Sequence, residues 1–473
     1  MSWRESLRPV AMRRVALVAP TGSLRGLLVE VADAGTVDLD VAASDDTEGH
    51  REGPAQVVLQ RMAGEPASPA LAPGPPDLEA WEHAGRADLV AGEAELERAT
   101  DAAVTRGSVS ALVGWMARGE IEPLADRVAR VGGAVVPMAP PPGVQPPTML
   151  AQEGASKEFA PLVETYATVP YADVNPSILA GLAYVVMFGL MFADVGHGAL
   201  LLLAAVAVRA GWWSTRLGRL RPVWLFLAGA GAASMVFGAL YGEFFGPTGV
   251  IPVIWIEPLE HPVELLGVAV GVGAVLLAGA YALGTVNRFR EAGWRGAVYA
   301  PTGMAGSAVF LGLGAVVGGV YSEWGWLTAL GVVLGAAGLA VAAIGLYAAA
   351  GGGGAAVAET AVELFDLVIR LGSNLVSFAR LAAFGLTHAA LGLVIWQGTT
   401  ALWDQGGWAR IAAVVVFVVG NALAFGLEGL VAAIQALRLE YYELFSRVFE
   451  GVGRPFRPWR IPLDRLEVPC SPG

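Results

Sequence analysis

The chain has 473 residues, of which 55% are hydrophobic and 15% are charged. This composition is typical of a protein that crosses a membrane several times, and a net charge of −12 offers no basic surface for nucleic acid. The single cysteine, Cys470, excludes an intrachain disulfide and any metal site built from cysteines.

Short apolar runs alternate with helix-forming segments in the first third of the chain. Residues 13–18 and 36–42 predict two strands, and the segment between them predicts a helix that ends at Gly35, a unit of the β-α-β kind. Residues 44–75 are polar and rich in Pro, Gly and Ala, which indicates a loop. The later predicted elements are, in chain order, a helical hairpin over 76–105 that is broken near Gly92, a strand at 109–116, a helix that ends near Gly132 and a strand at 134–138. Together they predict a small α+β domain, which no visible signal peptide precedes and which we expect to stay in the cytoplasm.

No nucleotide site is apparent in this domain. The only lysine, Lys157, lies in EGASKEF without the preceding glycine loop that a P-loop requires. The sequence therefore predicts that this chain is not itself a P-loop ATPase, and it predicts no cofactor. A proline-rich run, APPPGVQPP, leads out of the domain into a predicted linker.

Apolar segments fill the chain after Pro176. We count eight, at about 177–192, 195–208, 223–240, 263–286, 301–320, 327–349, 361–398 and 408–447. Arginines cluster in alternate loops, at 209–222, at 287–296 and after 446, which is the positive-inside pattern and predicts both termini in the cytoplasm. The predicted fold is thus mainly α, a polytopic membrane protein with about eight transmembrane helices, the last two long and tilted, after a small α+β cytoplasmic domain. The predicted domain boundaries are 1–140 for that domain, 141–175 for the linker, 176–447 for the transmembrane domain and 448–473 for a cytoplasmic tail.

The seventh apolar segment carries charge in apolar surroundings. Residues 359–396 exceed the roughly 20 residues that span a bilayer, and Arg380 lies deepest among them. A charge near the bilayer centre costs about 2.5–3.5 kcal/mol, so such residues usually face a bundle interior or a water-filled path. The alternative is an arginine that pairs with a carboxylate and only holds helices together. Asp366, four residues before Arg370, also has two possible roles: it lines a proton route, or it only forms an ion pair with Arg370.

Other polar residues in the apolar segments have both functional and structural interpretations. Asp194 and His197, in FADVGHG, could be a metal pair, but two ligands fall short of a site, and turn or packing roles are favoured. Glu428 is an isolated intramembrane glutamate and therefore a candidate for a proton path. Glu440 and Glu443, further along the same helix, are expected in solvent near the cytoplasmic surface.

Several stretches occur in the order in which a known family has them. FGLMFADVGHGALLL resembles the glycine-rich first hairpin of the membrane-embedded subunit of rotary V-type ATPases, called subunit a in eukaryotes and subunit I in prokaryotes. SNLVSFARLAAFGLTHAALG resembles its seventh helix, and LEGLVAAIQALRLEYYELFSRVFEGVGRPFRPW resembles its eighth helix and tail. The likeness covers about 165–460 well. It covers the N-terminal part only weakly, since the cytoplasmic domain is shorter than the family usually has.

The resemblance implies roles for residues of the last two helices. It implies that Arg380 meets the ion-binding carboxylate of the rotor ring and that Arg438 is the second arginine of the family. Glu428 matches a functional glutamate, and His388 matches a position where many members have histidine. Asp366 stands where eukaryotic members have glutamate.

The direction of each helix assigns these residues to two half-channels. The seventh helix would enter from the cytoplasm, so Asp366 and Asn374 would line a cytoplasmic path. Glu428 and His388 would line an external path. The arginines would separate the two paths, so that the ion has to travel on the ring.

The function implied by the resemblance is that of a stator subunit of a rotary V/A-type ATPase, which couples proton or sodium translocation to rotation of the proteolipid ring. The implied partners are the proteolipid c-ring, the peripheral stalk, the central stalk and ATPase head, and the lipid bilayer of a prokaryotic plasma membrane. The chain would be a non-catalytic subunit of that machine. The alternative is a stand-alone secondary proton-coupled transporter, but such proteins often show inverted repeats, and no convincing repeat is visible here.

Overall fold

The computed structural model of the chain describes residues 8–40, 53–62, 68–150, 154–211, 223–449, 451 and 453–464. The chain forms two compact units. The sheet unit consists of Pro9–Met149 and Gly453–Gly473, and the helical unit consists of Met1–Arg8 and Leu150–Val452. Three arginines of the predicted loop 209–222, and also Cys470, lie outside the described residues.

Five antiparallel strands form the centre of the sheet unit. They are β1 (Met12–Pro20), β2 (Val37–Leu39), β3 (Val104–Arg106), β4 (Val109–Ala117) and β5 (Ala134–Met138). The strand order is β2-β4-β1-β5, with β3 also on β4, so the two longest strands lie in the middle. The four strands that the sequence predicts are confirmed within the described residues, and β3 is an additional one.

Five helices complete the sheet unit. They are α1 (Leu24–Ala34), α2 (Pro54–Arg61), α3 (Leu78–His83), α4 (Ala87–Asp101) and α5 (Ile121–Ala129). α1 buries Leu24, Leu27, Leu28 and Val31, which is the spacing of a single apolar helix face. It ends at Gly35 in the left-handed conformation (φ 58°), as the sequence predicts.

Two of the predictions for this unit are wrong. Residues 44–75, interpreted as a loop, contain α2. The helical hairpin breaks at Gly85, which has a φ of 68°, and not at Gly92. Gly92 lies inside α4, where a Cβ atom would come within 1.9 Å of the carbonyl oxygen of Ala70. This glycine therefore allows a close backbone approach rather than ending a helix.

The segment 453–464 runs back across the sheet unit. Trp459 donates a backbone hydrogen bond to the carbonyl oxygen of Val37 (2.8 Å), and the Ile461 side chain is buried in the core of the unit. Arg454 forms an ion pair with Asp40 (3.0 Å). Part of the predicted cytoplasmic tail is thus a structural component of the N-terminal domain.

The helical unit contains the apolar part of the chain. Its helices are α6 (Gly154–Tyr166), α7 (Ser177–Met191), α8 (Val195–Ala210), α9 (Trp224–Tyr241), α10 (Pro262–Tyr299), α11 (Met304–Tyr321), α12 (Gly325–Ala349), α13 (Gly354–Ser377), α14 (Ala379–Asp404), α15 (Ala409–Leu423), α16 (Gly429–Leu439) and α17 (Ser446–Val448). The predicted linker 141–175 contains α6.

The predicted fold class is confirmed, because the described chain is mainly helical with a small N-terminal sheet domain. Among the residues that the structure describes, six helical stretches are long and apolar enough to cross a membrane, the last two being Gly354–Asp404 and Ala409–Val448. The helices α7 and α8 are also apolar but shorter, with 15 and 16 residues. The chain is a multi-pass membrane protein.

Small residues let the first apolar helices approach closely. A Cβ atom on Gly198 of α8 would lie 2.7 Å from the carbonyl oxygen of Gly231 in α9. A Cβ atom on Gly231 would lie 2.8 Å from the carbonyl oxygen of Gly198. Small residues are common where membrane helices touch, since they allow the two backbones to pack against each other.

The last two long helices are interrupted close to their charged residues. α13 ends at Ser377 and α14 begins at Ala379, so that Phe378 marks a junction directly before Arg380. Between α15 and α16 the chain forms a π-helical turn over Ala424–Glu428, and a second one over Glu440–Phe445 follows α16. Single π-helical turns inside α-helices are frequent at functional sites.

Candidate functional site

Arg380 and Arg438, called the arginine pair, lie on α14 and α16. The Arg380 side chain is half-buried, and its Nη1 atom has no hydrogen-bond partner among the described residues. Arg438 is exposed. Neither arginine makes an ion pair with any residue that the structure describes. The charged groups that act on Arg380 are Arg438, which repels it, and Glu443, which attracts it.

Two glutamates of the second π-helical turn are buried near the arginine pair. Glu440 and Glu443 are 1% and 6% exposed, so the expectation that they are solvated is wrong. The Glu443 carboxylate interacts with the Ser377 side chain and lies within electrostatic range of both arginines. The expectation rested only on their position near the cytoplasmic end of the helix, and position along a helix does not determine which of its faces is buried.

Asn374 lies on α13, six residues before Arg380. With its amide oriented to satisfy its neighbours, its oxygen accepts from Arg447 (2.8 Å) and its nitrogen donates to the carbonyl oxygen of Arg370 (3.1 Å). The Arg447 guanidinium also lies 5.7 Å from the centre of the Tyr281 ring. Asn374 therefore links α13 to the end of the last long helix.

Asp366 forms the ion pair that the sequence raised as one of two alternatives. Its Oδ2 atom lies 2.6 Å from Nε of Arg370, one helical turn further on. The two side chains are 48% and 65% exposed, respectively. Exposed pairs of this spacing contribute only about 0.3–0.5 kcal/mol. The ion pair thus leaves Asp366 accessible from outside the chain.

His388 and Glu428 connect the last two long helices directly. The His388 Nδ1 atom lies 2.6 Å from Oε2 of Glu428. Their side chains are 6% and 19% exposed. Glu428 is the last residue of the first π-helical turn, and His388 lies within α14. The sequence predicts both as residues of one path but does not predict that they touch.

Asp194 fixes the start of α8. Its Oδ1 atom accepts a hydrogen bond from the backbone N–H of His197, and its Oδ2 atom accepts one from Gly246, both at 2.8 Å. A carboxylate at this position satisfies backbone groups that the first turn of a helix leaves free. The turn role that the sequence favours for Asp194 is confirmed.

His197 lies beside His388, with 5.6 Å between the ring centres. Neither ring nitrogen of His197 has a hydrogen-bond partner within the described part of the chain, and Nδ1 lies 3.4 Å from Oδ1 of Asp194 without hydrogen-bond geometry. The rings of Phe192 and Phe245 surround the two histidines, at 4.8 Å from His388 and 5.2 Å from His197. We use the name histidine cluster for four residues: Asp194, His197, His388 and Glu428.

The loop after α9 covers the histidine cluster. Phe245 has a φ of 50°, a left-handed conformation that is uncommon for a bulky residue, and its ring packs on His197. Glu243 is buried and lies within electrostatic range of Asp194 and His197. A cavity of about 150 Å³ extends from Glu243 along the loop to Glu257.

The structure places the six predicted site residues in three locations. His388 and Glu428 are in contact, the arginine pair is coupled electrostatically, and Asp366 and Asn374 lie on α13 before the junction. The sequence drew attention to Asp194 and His197, but it could not show that His388 completes the group. That proximity arises only when the start of α8 packs beside α14.

Ionisable residues inside membrane helices generally mark the path of an ion or substrate. The fold and these residues define a class, a multi-pass membrane protein of ion transport. The profile of the V-type ATPase 116kDa subunit family matches residues 112–246 and 356–461, which is about half of the chain. The chain belongs to this family, which confirms the resemblance seen in the sequence.

Curated relatives carry the name A-type ATP synthase subunit I. The protein of Aeropyrum pernix is 28% identical over 409 residues, covering 76% of this chain and 57% of the relative. That of Thermococcus kodakarensis is 24% identical over 379 residues, covering 76% and 55%. That of Halobacterium salinarum is 28% identical over 386 residues, covering 66% and 51%. The chain thus spans about half the length of the curated relatives it matches.

Proposed function

We propose that the chain is a stator subunit of a rotary V/A-type ATPase, that it forms two ion half-channels, and that it couples proton or sodium translocation to rotation of a proteolipid ring. The name of its relatives, A-type ATP synthase subunit I, supports the kind of complex. One observation carries the proposal: neither arginine of the arginine pair forms an ion pair with a residue that the structure describes, although Glu443 lies within electrostatic range of both.

Without an ion pair in the described chain, the two arginines are able to accept a carboxylate of another protein as their partner. A charge inside a membrane costs about 2.5–3.5 kcal/mol, so it usually faces water or an opposite charge. A carboxylate on a rotor ring has to be neutral while it faces lipid, and a nearby fixed positive charge favours its ionised form. Arg380 would therefore release the ion from each passing carboxylate, and its own charge would persist because guanidinium does not lose its proton.

Polar residues lie on both sides of Arg380 along the same helices. At a rise of about 1.5 Å per residue, His388 lies ~12 Å from Arg380 in one direction and Asp366 ~21 Å in the other. We assign Asp366 and Asn374 to a cytoplasmic path, and Glu428 and His388 to an external path. One continuous path would leak, whereas two offset paths force the ion onto the ring. Each proton that moves down 100 mV releases about 2.3 kcal/mol, which is the energy available for rotation.

The rest of the proposed complex follows from this assignment. Both termini would lie in the cytoplasm of a prokaryotic cell, with the helical unit in the plasma membrane. Residues 1–140 would bind the peripheral stalk and resist torque. The central stalk and ATPase head, on other subunits, would hydrolyse or make ATP.

Arg380→Ala tests the central step. The variant should assemble but lose coupled ion transport, because no fixed positive charge remains beside the ring carboxylate. ATP-driven proton uptake by reconstituted complexes is the measurement. Arg410→Ala is the matched control, since Arg410 lies at the start of the last long helix, on α15, and stacks on Trp403 at 5.5 Å. Normal uptake by Arg380→Ala would show that this arginine is only structural.

Co-purification separates the proposal from the alternative of a stand-alone transporter. The full chain, tagged and purified in mild detergent, should bring an oligomeric proteolipid ring with it. A chain that transports ions alone in proteoliposomes would contradict the stator assignment.

A further inference from the structure

The histidine cluster contains more ligand atoms than an external path through Glu428 and His388 requires. We propose that Asp194, His197 and His388 form a binding site for one divalent transition-metal ion, and that Zn²⁺ is the ion this donor set favours. One possible ligand atom from each of the three residues lies within 4.8 Å of the others, and all three residues are buried.

The donor types select the metal. Two imidazoles and one carboxylate, with an open position for water, form a common tetrahedral zinc site. Imidazole nitrogen suits zinc and its neighbours in the transition series, whereas Mg²⁺ and Ca²⁺ prefer sites made of oxygen atoms. The site therefore discriminates between these two groups of divalent ions.

His197 gives a second, independent indication of a ligand. Its side chain is 3% exposed, and both ring nitrogens lack a hydrogen-bond partner among the described residues. Buried polar atoms are normally paired, so an unpaired imidazole aimed at two other ligands calls for an explanation. A metal ion bound through one nitrogen supplies the missing partner.

The groups around the three ligands already have the arrangement of a metal site. Glu428 contacts Nδ1 of His388, which leaves Nε2 as the coordinating atom and forms the carboxylate–histidine pair that usually supports a metal. Two backbone hydrogen bonds hold the Asp194 carboxylate in place. The rings of Phe192 and Phe245 pack against His388 and His197 and make the surroundings of the site apolar, which strengthens the attraction between a metal ion and its ligands.

Two further carboxylates line a cavity beside the histidine cluster. The cavity of about 150 Å³ that Glu243 lines also contains Glu257. The Oε2 atom of Glu243 is buried without a hydrogen-bond partner in the described chain. Two carboxylates along one cavity attract cations, so the same loop that covers the histidines raises the local concentration of metal ions near them.

A metal ion bound to His388 would inhibit ion transport. This part of the inference rests on the proposed function, in which His388 lines the external path. An ion held by His388 and His197 would block that path, so Zn²⁺ would act as a reversible inhibitor of coupled transport.

Calorimetric titration of the full purified chain with Zn²⁺, after removal of metals by a chelator, tests the site. We expect one high-affinity Zn²⁺ per chain and no competition from Mg²⁺ or Ca²⁺. His197→Ala should weaken the affinity at least 10-fold, the effect expected for loss of a ligand or its support. His261→Ala is the matched control, because His261 also lies near a carboxylate (Glu264, 3.5 Å) but is 52% exposed.

A second variant tests the metal site independently, in case His197→Ala does not fold. Asp194→Asn keeps one side-chain oxygen that can cap α8, gives up the hydrogen bond from Gly246 and removes the charged ligand, so a variant that folds, as checked by circular dichroism, should bind Zn²⁺ at least 10-fold more weakly. Absence of stoichiometric Zn²⁺ binding, or equal loss of binding in His261→Ala, would overturn the inference.

Failure of the metal site and failure of the proposed function give different results. If the chain binds no Zn²⁺ but Arg380→Ala abolishes transport, only the metal site is wrong. If Zn²⁺ binds with the expected dependence on His197 but Arg380→Ala transports normally, the metal site stands and the stator role is wrong.

Discussion

The arginine pair lies on the same two long helices as His388 and Glu428 of the histidine cluster, yet the charges of the two groups are satisfied in opposite ways. In the histidine cluster, His388 meets Glu428 at 2.6 Å and Asp194 accepts two backbone hydrogen bonds at 2.8 Å. Arg380 and Arg438 form no ion pair in the described chain, and Glu443 acts on them only from within electrostatic range. One group is completed by contacts within the chain, whereas the other has no ion pair there and is the group that we propose to meet a partner.

The surroundings explain the difference. The start of α8 and the loop after α9 cover the histidine cluster and bring aromatic rings to it. Arg438, by contrast, is exposed on the surface of α16. Side chains that another protein has to reach must stay uncovered, whereas side chains that hold a path or an ion in position benefit from a closed shell.

The largest effect on coupled transport is expected for substitution of Arg380 in the arginine pair. Arg380→Lys should reduce coupled transport to near background in the assembled complex, because lysine offers a single ammonium group that can lose its proton and lacks the planar guanidinium. Proton uptake and ATPase activity are measured together, with Arg410→Lys as the control. Retention of more than half of the normal uptake would mean that charge alone is sufficient.

Single cysteines test whether the two ends of the helices open to opposite sides. In a chain with Cys470 replaced, Glu428→Cys should react with a membrane-impermeant thiol reagent only from outside, and Asp366→Cys only from the cytoplasm. Labelling is measured in intact cells and in inverted vesicles. Labelling of position 428 only from the cytoplasm would overturn both the path assignment and the predicted orientation.

A double-mutant cycle measures how much the contact between His388 and Glu428 stabilises the protein. His388→Ala and Glu428→Ala should each lower the free energy of unfolding by about 1.5–3 kcal/mol, because each leaves a largely buried polar partner unsatisfied. The double variant should lose less than the sum of the two, by about 0.5–3 kcal/mol.

Denaturant titration of the full chain in mixed micelles is the measurement for this cycle. Thr387→Ala is the matched control, since Thr387 is the exposed neighbour of His388 and only bonds its own helix at 2.9 Å. Additive losses in the double variant would show that the contact contributes no stability.

The smallest effect on stability is expected for the ion pair between Asp366 and Arg370 on α13. Arg370→Ala should change the free energy of unfolding by no more than about 0.5 kcal/mol, because the pair is exposed. The same titration checks this value. A loss near that of His388→Ala would indicate that Asp366 belongs to a closed cluster as well.

The sequence predicted most of the helical unit because continuous apolar runs define membrane helices directly. The segment predicted at 177–192 is observed at Ser177–Met191, and the one at 327–349 is observed at Gly325–Ala349. In the sheet unit, Gly92 misled the prediction, since a glycine can mark either a break or a close contact. Its contact with Ala70 depends on tertiary packing that no local pattern contains.

The site was predictable only where one residue stands out by itself. Arg380 is conspicuous because it lies deep in an apolar run. The contact between His388 and Glu428 was not predictable, because it depends on the π-helical turn that ends at Glu428. The burial of Glu443 was missed because its position near the cytoplasmic end of the helix suggested solvent, whereas packing against other helices decides its exposure.

The two π-helical turns also determine where the last long helix tolerates a change in length. A π-helical turn holds about one residue more than an α-helical turn, so loss of Gly426, which has open space around it, leaves an α-helix that continues in the same direction. Loss of one residue within α16 would instead rotate the segments before and after it by about 100° relative to each other. The spacing between Glu428 and Arg438 is therefore fixed more strictly than the length of the helix as a whole.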